Sequence, residues 1–161
     1  MGSLRTGKPR SADDRYRVGA ASPRPSCRRC QLQLEAEGRL SLDDTVEKWL
    51  PGTVQGNGND GTKVTVRQLL NHTSGIYNYT QDDDFGRAYF TKDSFFRHRY
   101  DTKTPADLVA IAMSHKPDFA PGTSWHYSNT NYVLAGMVIQ KVTGQPVARP
   151  RSGDRIINPC T

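Results

Sequence analysis

Long apolar runs are missing from this chain of 161 residues. Nowhere do about 18 consecutive apolar side chains occur, the length a membrane-spanning helix requires. Met1-Gly2-Ser3-Leu4-Arg5 shows no basic segment followed by an apolar one, so no export signal is read there, and the chain as written is expected in the cytoplasm. Cysteine is scarce: Cys27, Cys30 and Cys160 leave an odd one over, which argues against a disulfide framework. Cys27-Arg28-Arg29-Cys30 has the spacing of half a zinc site or a redox pair, but no second close Cys/His pair and no βαβ pattern accompany it. With His72, His98, His115 and His126 scattered, neither metal nor cofactor is expected. Two catalytic patterns are missing as well. No serine precedes a lysine by three positions, and Lys-Thr-Gly and His-Thr-Gly do not occur.

What is present fits one modest domain, expected to be a monomer if folded. The net charge of +6 suggests phosphate-backbone binding, but its distribution argues otherwise. Residues 1–30 carry +6 and residues 148–161 carry +2, whereas residues 31–147 carry −2. The body of the chain is slightly acidic, and nucleic acid is not the expected partner.

Local signals become orderly from Gln31 onward. Leu32 to Gly38 reads as the end of an amphipathic helix capped by Gly38, with no visible beginning. Ser41-Leu42-Asp43-Asp44 offers an N-cap for a short helix through Lys48, and Gln55 to Gly61 reads as a Gly/Asn-rich loop. Thr65-Val66-Arg67-Gln68 is a capping box for a helix through His72, where a histidine meets the helix dipole and Gly75 closes the turn. Tyr77 to Tyr100 reads as a long loop with one helical turn. Thr104-Pro105-Ala106-Asp107 opens a helix to about His115, with proline at its first position. Thr130 to Val142 is apolar nearly all round, the mark of a buried helix. The only strand candidates are Trp125-His126-Tyr127 and Tyr16-Arg17-Val18.

Several segments carry a family resemblance in order: Asp13 to Gly19, Leu34 to Asp44, Val64 to Gly75, and Pro121-Gly122-Thr123-Ser124-Trp125-His126-Tyr127-Ser128-Asn129. Together they resemble the serine penicillin-recognising enzymes, the D-alanyl-D-alanine carboxypeptidases and class C β-lactamases, and among them the secreted actinomycete-type carboxypeptidase. The resemblance implies an α+β fold of an antiparallel sheet flanked by helices, of which this chain holds largely the helical subdomain, best matched over 31–147. It also implies acyl transfer at a serine, activated by a lysine one helical turn later. Tyr127 would relay protons, Asn129 would hydrogen-bond the substrate amide, and Trp125 would line the same cleft. The implied partners are a peptidoglycan stem peptide or a β-lactam. Ser128 is read as capping or packing, not as the nucleophile.

Where the family has Ser-Xaa-Xaa-Lys, this chain reads Ala20-Ala21-Ser22-Pro23-Arg24-Pro25-Ser26. Ser26-Cys27-Arg28-Arg29 imitates the pattern, but a guanidinium cannot serve as the base, and Pro23 and Pro25 are expected to break the helix that carries the motif. A family-like coding run GGC-AGC-GTC-ACC-AAG-ACC-TTC, displaced by one base, encodes Ala-Ala-Ser-Pro-Arg-Pro-Ser, so residues 20–30 read as out of frame. Residues 147–153 look similarly disturbed, and no third-motif strand is expected before Thr161. The expectation is an inactive fragment of a D-alanyl-D-alanine carboxypeptidase, with a β-lactamase or esterase of the same family as the alternative. A non-catalytic peptidoglycan-binding protein and a basic nucleic-acid-binding protein are rivals of another class. Without a complete sheet, apolar faces such as Val133 to Val142 are expected to go unpartnered.

Overall fold

The computed structural model describes residues 16–17, 24–98 and 101–144, and within them helix predominates. The expectations for residues 18–23 and 145–161 lie outside that set. The order is β1 (Tyr16–Arg17), α1 (Arg24–Ala36), α2 (Val46–Trp49), β2 (Gln55–Gly56), β3 (Asn59–Asp60), α3 (Val66–Asn71), a 3-10 turn (Tyr79–Gln81), α4 (Asp83–Tyr89), α5 (Lys92–His98), β4 (Thr102–Lys103), α6 (Pro105–Met113) and α7 (Asn129–Thr143). Two small antiparallel ribbons accompany the helices, one pairing Tyr16 with Lys103 and Arg17 with Thr102, the other pairing β2 with β3.

The cores of α3, α6 and α7 follow the sequence closely. Thr65 and Thr104 each accept the N3 backbone N–H, and the side chains of Gln68 and Asp107 reach back to the cap N–H. Gly144 ends α7 in the left-handed region at φ 70.

Elsewhere the structure corrects the sequence. The α1 helix begins at Arg24, so Pro25 falls in its first turn, where no intrahelical donor is lost and the fixed φ is already helical. Pro25 therefore does not break it, and Pro23 lies outside the described residues. The Ser41 and Asp44 bonds form, but they close a turn. Backbone pairing of 42–46 with 64–67, including Val46 N–H to the Val64 carbonyl at 2.8 Å, delays α2 until Thr45 can cap it. The expected Gly/Asn loop is a hairpin turning at Asn57-Gly58, both at positive φ, as a two-residue Asn-Gly turn requires. The expected long loop 77–100 holds α4 and α5, because Asp82 accepts the Phe85 N–H at 2.7 Å and buries Phe85 and Tyr89 one helical turn apart. Cys30 is disulfide-bonded, so the odd cysteine count does not exclude a disulfide. Its partner lies outside the described side chains.

The α7 helix is the axis of the fold, with α1, α2, α3 and α6 packed around it. Leu134, Val138 and Ala135 are fully buried with Leu34, Val46 and Leu69. The apolar face of α7 expected to go unpartnered is thus covered by the helices themselves. Gln31 shares this interior, donating from Nε2 to the Ala135 carbonyl at 3.2 Å, while its Oε1 has no partner among the described residues.

Candidate functional site

The three candidates Trp125, Tyr127 and Asn129 enter α7 from an irregular segment; Trp125-His126-Tyr127 is not a strand. Ser128 stands at the N-cap but makes no side-chain cap bond. It is 1 % exposed and donates from Oγ to the Tyr77 carbonyl at 3.3 Å, so it packs. Tyr127 donates its phenol hydrogen to Oδ1 of Asn129 at 3.2 Å, which brings the two motif side chains together. Trp125 is 63 % exposed, with its ring edge-on to His72 at 6.3 Å between centroids.

Asn129 is held from behind by the loop that leaves α3. Its backbone N–H and Nδ2 donate to Oδ1 of buried Asn78 at 3.1 and 3.3 Å, and Nδ2 also reaches Thr80 Oγ1 at 3.2 Å. Thr130 ties the same loop down, donating to the Tyr77 carbonyl at 2.7 Å and accepting the Tyr79 N–H at 3.1 Å. The amide of Asn129 therefore has a fixed orientation, Nδ2 toward the loop and Oδ1 toward the phenol. Asn78 and Thr80 escaped the sequence reading because they meet Asn129 from 51 and 49 positions away. No local signal marks such a pair.

His72 differs from expectation. It is itself the left-handed cap of α3, at φ 61, and its ring turns away from the helix axis into the motif segment. Nδ1 accepts the Ser128 N–H at 3.3 Å and lies 3.2 Å from Nδ2 of Asn131, whose Oδ1 accepts from Ser74 at 2.7 Å. A ring nitrogen that accepts cannot carry the proton, so the hydrogen resides on Nε2. The ring is not a cation placed against the helix dipole.

Beside this loop Tyr77 stacks on His115 at 4.0 Å, and His115 Nε2 meets Asp82 Oδ2 at 3.0 Å. Burial pushes the Tyr77 phenol up, with the charges of Asp82, Asp83 and Asp118 adding to it. Asp82 is held below the usual carboxylate range by the Phe85 N–H and then by His115. Among the described residues no group of three or more His, Cys, Asp or Glu side chains could hold a metal ion, and no helix is long and apolar enough to cross a membrane.

Tyr127 and the fixed amide of Asn129 thus meet at the start of a buried helix. The Beta-lactamase family model matches residues 1–159, and the chain belongs to that family. It is 36 % identical over 120 residues to Penicillin-binding protein 4* of Bacillus subtilis (strain 168), covering 73 % of this chain and 23 % of that protein. To Esterase EstB of Burkholderia gladioli it is 33 % identical over 147 residues, covering 88 % and 36 % respectively. The crystal structure of a D-stereospecific amidohydrolase from Streptomyces sp. superposes with a TM-score of 0.76 at 63 % identity, covering 87 % of this chain and 41 % of that one. The chain thus spans less than half the length of each of these relatives. The described fold is consistent with the helical part of the β-lactamase/transpeptidase-like architecture.

Proposed function

We propose that the chain carries the proton-relay and amide-binding side of a serine hydrolase cleft for amide bonds on D-configured acyl donors, the D-alanyl-D-alanine end of peptidoglycan stem peptides among them. In this reading Tyr127 moves the proton to and from the nucleophile and leaving group, Asn129 holds the substrate amide and Trp125 flanks it. The observation that carries it is the Tyr127 to Asn129 bond, with Asn129 fixed by Asn78 and Thr80. The similarity to a D-stereospecific amidohydrolase supports the substrate configuration. As written, the chain has no Ser-Xaa-Xaa-Lys, and losing the nucleophile of a coupled catalytic unit costs on the order of a million-fold in kcat. It therefore binds without acylating.

The similarity to an esterase favours a second reading, in which the parent site accepts esters. Two measurements test the proposal. A fluorescent penicillin is expected to leave no covalent adduct, and an adduct at any serine overturns the claim of inactivity. D-alanyl-D-alanine is expected to shift the NMR signal of the Asn129 side-chain amide while L-alanyl-L-alanine leaves it in place. Equal response to both, or none, overturns the substrate class.

A further inference from the structure

A single phenol hydrogen bond does not by itself set the direction of a tyrosine ring, which turns about two side-chain torsions. The structure supplies a second hold. The His72 ring lies against the Tyr127 ring at 4.6 Å between centroids, tilted by 37°, and meets Tyr132 edge-on at 5.1 Å. His72 reaches that position because its backbone is left-handed, a conformation uncommon among residues other than glycine but one that histidine, like asparagine, adopts more readily than most. The imidazole is 7 % exposed as a residue and is anchored at Nδ1 by Ser128 N–H and the Asn131 amide, whose other end is tied to Ser74. The His72 carbonyl takes part too, accepting the His126 N–H at 3.0 Å. One residue thus grips the motif segment on both sides of Tyr127, through the peptides of His126 and Ser128.

We propose that His72 is a positioning residue for Tyr127: its ring sets the direction of the phenol, and its Nδ1 and carbonyl fix the backbone that carries it. The inference rests on the proposed role of Tyr127 in proton relay. It assigns His72 no proton transfer of its own, since Nδ1 is spent on the Ser128 and Asn131 contacts. A helix cap alone would require only the backbone conformation, which asparagine also tolerates. The positioning role requires the ring.

That difference defines the test on the full chain. Asparagine at 72 keeps a left-handed cap and offers Oδ1 where Nδ1 stood, both atoms being bonded to Cγ. The protein is labelled with 3-fluorotyrosine, and Tyr127→Phe and Tyr89→Phe each assign one fluorine resonance. In His72→Asn the fluorine resonance of Tyr127 is expected to broaden or split as its ring samples more than one orientation, a response that loss of the imidazole ring current alone does not produce, while that of Tyr89 stays sharp. A single sharp Tyr127 resonance, or equal broadening at Tyr89, overturns the proposal. The nitrogen-15 signals of His72 in the unsubstituted chain at pH 8 give a second reading that needs no folded variant. An unprotonated Nδ1 with a protonated Nε2 is expected, and a proton on Nδ1 overturns the anchoring. Neither measurement involves substrate or penicillin, so failure here is separable from failure of the proposed function.

Discussion

Gly75→Ala probes the turn that delivers the site loop from α3. Gly75 sits at φ 74, and an added Cβ would lie far inside contact with the carbonyl oxygen of Phe119, with little room at the carbonyl carbon and ring behind it. The two backbones are held together by Asp118 N–H to the Gly75 carbonyl at 2.8 Å and Gly122 N–H to the Thr73 carbonyl at 2.7 Å, so neither can yield alone. Two costs follow. The left-handed conformation penalises alanine by about 1–2 kcal/mol, and forcing atoms into a closed space adds about 1–3 kcal/mol. Gly38→Ala is the control, because Gly38 has φ 67 but nothing within 4 Å of its Cβ position, and it bears the first cost alone. Urea unfolding followed by far-UV circular dichroism, and by the fluorescence of Trp49, reads the difference. At a slope of about 1–3 kcal/mol per molar urea, Gly75→Ala is expected to lower the midpoint by about 1–2 M and Gly38→Ala by less than about 1 M. If the two variants melt together, the 73–75 and 118–122 segments are not in the close contact described.

Leu134→Ala is expected to cost about 2–5 kcal/mol in the same assay, since Leu134 is 0 % exposed at the centre of α7. A cost below about 1 kcal/mol would mean that the helices do not close a core around α7. Asp82→Ala removes the cap of α4 and the partner of His115, for a loss of about 1 kcal/mol at pH 7. Because folding lowers the Asp82 pKa from its ordinary 3.8, its contribution is present above that value and disappears as pH falls through the lower folded value. Stability of the unsubstituted chain and of Asp82→Ala should therefore converge in acid below pH 4, and a constant gap down to pH 2 contradicts the assignment.

Capping chemistry was legible in the sequence because it is local. Thr65 with Gln68, Thr104 with Asp107 and the terminal Gly144 each act within four residues, and the structure places them as read. The start of α2 was misplaced because strand-like pairing between Asp44 and Val66 overrides a serviceable Ser41 cap. The missed α4 had a legible signal in Asp82 as N-cap, acids at Asp83 and Asp84, and the Phe85 and Tyr89 spacing, masked by the polar residues around it. The motif picked out Tyr127 and Asn129 as candidates, but not the residues that support them. Asn78, Thr80 and His72 reach them across 49 to 56 intervening positions, where only the folded chain brings them together.

Residues 20–30, read from the sequence as out of frame, overlap the start of α1. In α1 the side chains of Cys30, Gln31 and Leu34 are buried, and those of residues 24–29 lie outside the described set. Gln31 is an imperfect fit. Its Oε1 is buried without a partner, a defect that costs about 1–3 kcal/mol, whereas Leu34 one turn later is fully buried among apolar neighbours. We propose a local shift of frame in place of gradual loss of a motif, the run of arginine and proline over residues 23–29 being its mark in the sequence. Point substitutions would have removed the serine or the lysine singly, and would not have produced a run of arginine and proline. Resequencing of the coding region is expected to recover a serine and a lysine codon three positions apart in another frame. If no frame encodes Ser-Xaa-Xaa-Lys across residues 18–30, the shift did not occur and the chain lost its nucleophile by substitution.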